Sequence, residues 1–306
     1  MTALAVLGAV VGGALTGCGT AGPAPDQVSA DGAATHAPAH SGSPPRMSQT
    51  PRVRKPPTMA PGPAGRTPVF SRSAGTSDKV VALTFDADMT ADQGPRAAAG
   101  EHFDNPELIA LLRRLKVPAT VFMTGRWADE YPKQARSIGA DPLFEVANHS
   151  YSHYAFKGPC YGLPVVEKGG MGADVERAFA SFRKAGVRNV VPYFRFPGGC
   201  YDDTTLRALA PSKVTAVQWD VVSGDAFATD ADAVTRQVLD GVKPGSLVVM
   251  HCTRSAAPVT DRAVAQVVPE LRKRGYRFVR VSQLMGAAGT TTVDNHGSGR
   301  SPGVAR

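Results

Sequence analysis

Seven short β-branched or aromatic runs alternate with amphipathic segments along the middle of this chain, and that alternation restricts its fold more than any other feature. The runs are VVALTF (80–85), ATVFMT (119–124), LFEVAN (143–148), VVPYFR (190–195), VTAVQW (214–219), SLVVMH (246–251) and RFVRV (277–281). Each has the length and composition of a strand buried on both faces. Between them lie segments such as PELIALLRRLK, ADVERAFASFRKAG and VTDRAVAQVVPELRKRG. The last two close on Gly, as a helix stop would. Strands alternating with helices imply an α/β fold on a parallel sheet, either open and doubly wound or closed into a barrel.

Polar residues at the strand ends choose between these. Asp86 follows the first run, His149 the third and Asp220 the fifth, while Arg195 ends the fourth and His251 the sixth. In a barrel the carboxyl ends converge on one mouth, whereas in an open sheet they spread along an edge. Five chemically able groups at five carboxyl ends therefore predict a barrel of about seven parallel strands.

The segment EVANHSYSH carries His149 and His153, four residues apart. On a helix that spacing sets both rings on one face, with Cβ atoms ~5–6 Å apart. Asn148 and Ser150 favour caps, so a strand-to-helix turn is expected here. Alone, the pair reads more readily as two buried, hydrogen-bonded histidines than as metal ligands. The stretch LTFDADMT changes the balance, because it places Asp86 and Asp88 at another strand end, on one side if the strand runs on. One carboxylate with two imidazoles is a ligand set that leaves metal positions open for water and substrate.

Five motifs in chain order, TFDAD, HSYSH, RFPGG, WDVVSGD and LVVMH, resemble those of the polysaccharide deacetylase family, carbohydrate esterase family 4 with its NodB-type homology domain. That family's domain is a distorted (β/α) barrel, and the match spans residues 79–285. The resemblance implies that His149 and His153 hold a divalent metal, zinc or cobalt. It makes Asp86 the general base, Arg195 the residue that keeps it ionised, His251 the general acid and Asp225 the residue that orients it. The backbone N–H near Gly198 would join an oxyanion hole. The implied reaction removes N-acetyl groups from an N-acetylglucosamine-type glycan, wall peptidoglycan above all. The same parts would serve an O-acetyl xylan esterase, or a glycan-binding protein without turnover.

Three positions depart from the family pattern. Ala87 stands where a metal-binding aspartate directly follows the base; a bulge at the strand end would make Asp88 the third ligand, and otherwise a water fills that place and affinity drops. Gly198 replaces a tyrosine of the substrate groove. Ala226 replaces a tryptophan, with Phe227 next.

The flanks differ in composition from this core. Residues 1–78 and about the last twenty are rich in Ala, Pro, Gly, Ser and Thr without apolar periodicity, which reads as a disordered linker (19–78) and tail (286–306). MTALAVLGAVVGGALTGC (1–18) resembles a bacterial lipoprotein signal, with lipid on Cys18, although no Lys or Arg precedes its apolar run. The expected location is therefore the outer face of the cell membrane, with the domain as a lipid-anchored monomer. A linker of about 60 residues could reach ~200 Å when extended and averages ~45 Å as a coil. Outside the cytoplasm, Cys160, Cys200 and Cys252 are expected to give one disulfide and one free thiol, with the pairing open. The net charge of +8 does not mark a nucleic-acid binder, since Arg46, Arg52, Arg54, Lys55, Arg66 and Arg72 lie in the linker and no basic helix carries aromatics. Cys252 directly follows His251, so on a strand its side chain points away from the histidine.

Overall fold

The computed structural model of the protein describes residues 55–287. The signal segment 1–18 with Cys18, the linker up to residue 54 and the tail beyond residue 287 lie outside the described residues.

Nine strands form one sheet, and every pairing in it is parallel. They are β1 (Val69–Phe70), β2 (Val80–Ala87), β3 (Ala119–Met123), β4 (Phe144–Asn148), β5 (Val190–Phe194), β6 (Thr215–Val217), β7 (Val221–Val222), β8 (Ser246–His251) and β9 (Arg277–Phe278). The helices are α1 (Gly94–Ala98), α2 (Pro106–Arg114), α3 (Gly125–Glu130), α4 (Pro132–Ala140), α5 (Met171–Ala185), α6 (Asp203–Leu209), α7 (Ala231–Gly241), α8 (Thr260–Lys273) and α9 (Val281–Ala287). As the alternation predicts, helices lie between most of the strands.

The strand order is β1-β6-β5-β4-β3-β2-β8-β7, with β9 beside β2. Only Gln218–Asp220 separate β6 from β7 in the chain. Such a link spans at most ~14 Å. In a flat sheet β6 and β7 would lie about 29 Å apart, at ~4.8 Å per strand. The sheet must therefore curl until its ends approach, which makes the distorted barrel. The fifth sequence-predicted strand, 214–219, thus divides into two strands that pair at opposite ends of the order.

Side-chain alternation sorts the strands into two layers. Val81, Leu83, Phe85 and Ala87 of β2 pack with Leu108, Phe182 and Val264 of the surrounding helices. Val80 and Ala82 pack instead with Phe122, Ala147, Val191, Tyr193, Val217 and Leu247 inside the curve, where Val281 and Leu284 of α9 join them. Each fully buried Leu, Val or Phe contributes about 1.5–3 kcal/mol relative to exposure, so both faces of the sheet are strongly specified.

The domain begins before residue 79, contrary to the linker reading of 19–78. Met59 N–H donates to Thr215 Oγ1 at 3.2 Å, and the Tyr193 hydroxyl donates to the Pro57 carbonyl at 2.8 Å. β1 pairs with β6 through Val69↔Ala216 and Phe70↔Val217, and Ser73 N–H donates to the Gly245 carbonyl at 2.9 Å. A two-residue strand behind Pro68 carries no periodicity, which is why composition concealed it.

Candidate active site

Inside the barrel, side chains recur every second residue along each strand. The inward rows run Ala82, Thr84, Asp86 on β2; Glu145, Ala147, His149 from β4; Val191, Tyr193, Arg195 from β5; and Leu247, Val249, His251 on β8. Apolar members fill most of the interior, with Thr84 and Glu145 buried among them, and a functional group ends each row at the carboxyl rim. Asp86 and His251 are direct register partners on β2 and β8, so they stand side by side.

Arg195 is fully buried and organises two neighbours. Its Nη1 donates to Asp86 Oδ1 at 2.6 Å, and its Nε donates to the Val217 carbonyl at 3.2 Å. The guanidinium lies 3.9 Å from the centre of the Phe122 ring. Burial lowers the pKa of Arg195, and the Asp86 charge opposes that loss. The backbone carbonyl of Arg195 faces His149 Nδ1 at 2.9 Å. A carbonyl only accepts, so Nδ1 carries the proton and Nε2 keeps its lone pair. Burial also pushes the His149 pKa down to about 4, leaving the imidazole neutral.

The histidine pair does not lie on a helix. Residues from His149 to Gly170 form an irregular loop, and the next helix, α5, starts at Met171. Asn148 and Ser150, expected as caps, fold this loop instead: Asn148 Oδ1 accepts from Ser150 N–H at 2.8 Å, and Ser150 Oγ accepts from His153 N–H at 2.9 Å. Ser150 and His153 both have positive φ, 68° and 57°. These turns bring the two rings to a centroid separation of 5.0 Å without helical spacing.

Asp88 joins the cluster, but without a bulge. The pairing of β2 with β3 keeps register to Ala87↔Met123, so the two-residue step alone carries Asp88 past Asp86 over the mouth. Its Oδ2 lies 3.3 Å from His153 Nε2. Its other oxygen accepts from the Thr253 hydroxyl, and its N–H donates to Thr253 Oγ1 at 3.1 Å. Burial would raise the Asp88 pKa, but His153, His251 and the Thr253 hydrogen bond together lower it. Asp86 Oδ2 lies 3.6 Å from His149 Nε2.

His251 Nδ1 donates to Asp225 Oδ1 at 2.8 Å, leaving Nε2 as its free nitrogen. Asp225 also accepts from His251 N–H and Thr260 Oγ1, both at 2.7 Å, and from Ser223 Oγ at 2.9 Å. Burial works against charge on the imidazole, but Asp225 overcomes it and pushes the His251 pKa up to about 10. Burial likewise favours protonation of Asp225, but His251 and these hydrogen bonds hold its pKa low.

The other expected residues fall as follows. Gly198 lies in the turn Pro197–Gly199 with φ 65°. A Cβ there would meet Cys160 Sγ at 2.5 Å, so the disulfide Cys160–Cys200 occupies the space a side chain would need. Cys252 is the free thiol, buried in the outer layer away from His251, and burial pushes its pKa up to about 12. Asp220 does not reach the mouth. Its carboxylate accepts from Leu247 N–H at 2.7 Å and Ser246 Oγ at 2.9 Å, at the amino end of β8, because the chain there is crossing between β6 and β7. Sequence reasoning missed Thr253, Ser223 and Thr260. Thr253 was findable, since the step that links Asp86 to Asp88 also links His251 to Thr253.

Asp88, His149 and His153 suit a divalent cation in donor chemistry: one carboxylate lowered in pKa and a neutral imidazole with its free Nε2 fixed by a carbonyl. Two ligands ~2.1 Å from a tetrahedral ion stand ~3.4 Å apart, close to the 3.3 Å between Asp88 Oδ2 and His153 Nε2. Among the described residues, no three such donors are yet drawn together around one point.

A family model described as polysaccharide deacetylase matches residues 73–217. The chain is 30% identical to a chitooligosaccharide deacetylase of Sinorhizobium fredii, over 66% of this chain and 90% of that protein. It is 27% identical to a peptidoglycan-N-acetylglucosamine deacetylase of Bacillus cereus, over 68% and 89%. The fold is similar to the crystal structure of a peptidoglycan N-acetylglucosamine deacetylase bound to an N-oxidanyl-benzamide. The TM-score is 0.59 at 23% identity, over 72% of this chain and 92% of that one.

Proposed function

The chain belongs to the polysaccharide deacetylase family, and from that premise we propose that it is a metal-dependent hydrolase removing N-acetyl groups from N-acetylglucosamine residues of cell-wall peptidoglycan. The observation that carries this reading is the division of two carboxylates at one mouth. Asp86 is held by Arg195 at 2.6 Å, whereas Asp88 faces His153 at 3.3 Å, and His251 stands beside Asp86.

Asp88, His149 and His153 would hold zinc or cobalt, which supplies Lewis acidity toward water and the acetyl carbonyl. The protein's own groups do the rest. Asp86, held in place by Arg195, takes the proton of the attacking water as the C–O bond forms. The backbone at Gly198 offers an N–H to the oxyanion that develops on the former carbonyl oxygen. His251 then gives its Nε2 proton to the glycan nitrogen as the C–N bond breaks. Acetate and a free amine leave. Cys252 takes no part, because its thiol is buried and stays protonated.

Peptidoglycan as substrate is supported by the name of the Bacillus cereus relative and by the reading of residues 1–18 as an anchor, with lipid on Cys18 at the outer face of the cell membrane, whereas the Sinorhizobium fredii relative is named for chitooligosaccharides. The test is direct. Purified protein loaded with zinc or cobalt is given N-acetylglucosamine oligomers, peptidoglycan and O-acetylated xylan, and released acetate is measured. Acetate from the first two supports the reading. Acetate from xylan alone makes the protein an esterase, and glycan binding with no acetate makes it a silent binder.

A further inference from the structure

Two large aromatic side chains stand exposed among the described residues, and both occupy loops beside the site. Tyr161 is 65% exposed and Phe227 is 82% exposed. Both also have a left-handed backbone, with φ 47° and 59°. A bulky non-glycine residue there is strained, and such strain gathers at ligand sites. Exposure and strain together make these rings unusual, because neither burial nor local backbone comfort accounts for them.

Their neighbours tie them to the chemistry. Tyr161 follows Cys160, whose disulfide to Cys200 fastens its loop over the Gly198 turn. A Cβ on Gly198 would lie 3.3 Å from the Tyr161 ring, so the ring edges the backbone assigned to the oxyanion. Phe227 stands two residues after Asp225, the partner of His251. Its N–H donates to the Ala256 carbonyl at 2.6 Å, which binds it to the loop carrying Thr253. Between these rings in barrel order lies Trp219 after β6, whose ring would be 2.4 Å from a Cβ on Gly199. Gly199 also has positive φ, 71°, and the indole packs directly on its backbone.

We propose that Tyr161 and Phe227 are the platforms on which the sugar rings flanking the reacting residue stack, so that the site selects a glycan chain over a single sugar. A pyranose presents a face of C–H groups that packs on an aromatic face, and exposed aromatic area beside a polar site is suited to such a ligand. The proposal rests on the deacetylase reading for the identity of the glycan. The Cys160–Cys200 bond gives Tyr161 a fixed place, and the Ala256 hydrogen bond does the same for Phe227.

The test measures both binding and turnover with N-acetylglucosamine oligomers from dimer to hexamer, for wild type, Tyr161→Ala, Phe227→Ala and Tyr161→Phe. Calorimetry should show affinity rising with length in wild type and falling about tenfold for the longer oligomers in each alanine variant, with the dimer little changed. KM should rise by the same factor while kcat stays within about twofold, and Tyr161→Phe should restore wild-type values. Wild-type affinity independent of length, absent binding, or alanine variants that bind long oligomers as wild type does would overturn the proposal. Length-dependent binding without acetate release would uphold the platforms while removing the deacetylase reading, so the two failures are distinguishable. Phe227→Gly adds a control: it relieves the strained φ, so a merely structural Phe227 would yield a more stable protein with unchanged affinity.

Discussion

Arg195 holds Asp86 with its side chain and His149 with its backbone: Nη1 donates to Asp86 Oδ1 at 2.6 Å, and the carbonyl accepts from His149 Nδ1 at 2.9 Å. One residue thus fixes the position of the proposed base and the tautomer of a proposed ligand. Because the arginine is wholly buried, its charge depends chiefly on the pairing with Asp86, aided by the Val217 carbonyl and the Phe122 ring.

Replacing Arg195 by Met should therefore destabilise the fold by about 3–5 kcal/mol, since it strands a buried carboxylate. Arg195→Lys should recover part of the stability and little of the activity, because lysine cannot pair with Asp86, bond the Val217 carbonyl and stack on Phe122 at once. Denaturant unfolding alongside acetate release measures both.

The His251–Asp225 pair sets a pH dependence. An unfolded imidazole titrates near 6.5, and the folded one near 10. A raised folded pKa means that the pair's stabilisation is complete below about pH 6.5 and is lost as pH climbs toward 10. Asp225→Asn should flatten that decline in the unfolding free energy. It should also move the alkaline limb of kcat/KM downward, because burial then acts on the imidazole without the Asp225 charge to oppose it.

Gly198 is irreplaceable on two grounds, a φ of 65° and a disulfide sulfur 2.5 Å from any added Cβ. Gly198→Ala should cost about 1–3 kcal/mol in thermal or denaturant unfolding. Restoring the tyrosine found in the family pattern should cost more, since the disulfide stands in its place.

Removing that disulfide, as Cys160→Ser with Cys200→Ser, frees a loop closed across 40 residues. Chain entropy puts the loss near ~4 kcal/mol. The loop carrying Tyr161 should then become protease-sensitive, which limited proteolysis followed by mass spectrometry detects.

Much of the site was legible in the sequence because a barrel turns position into geometry. A polar residue at the carboxyl end of a strand, such as Arg195 or His251, must stand at the mouth, and period-two alternation sends Cys252 the other way. Asp220 misled for a physical reason: its strand breaks, and the chain beyond Val217 crosses between sheet edges instead of ending at the rim. The spacing of His149 and His153 suggested a helix, yet left-handed turns at Ser150 and His153 make the same approach. Short-range spacing does not report φ. β1 escaped because two residues after a proline leave no pattern, although they help to close the barrel.

The assignment of separate tasks to Asp86 and Asp88 is tested most directly by metal stoichiometry and kcat measured together in Asp86→Asn and Asp88→Asn. The expected result is one bound zinc or cobalt in Asp86→Asn with turnover down about 10²–10⁴-fold, and lost or much weakened metal binding in Asp88→Asn. Metal retained by Asp88→Asn and released by Asp86→Asn would contradict the account and exchange the two roles.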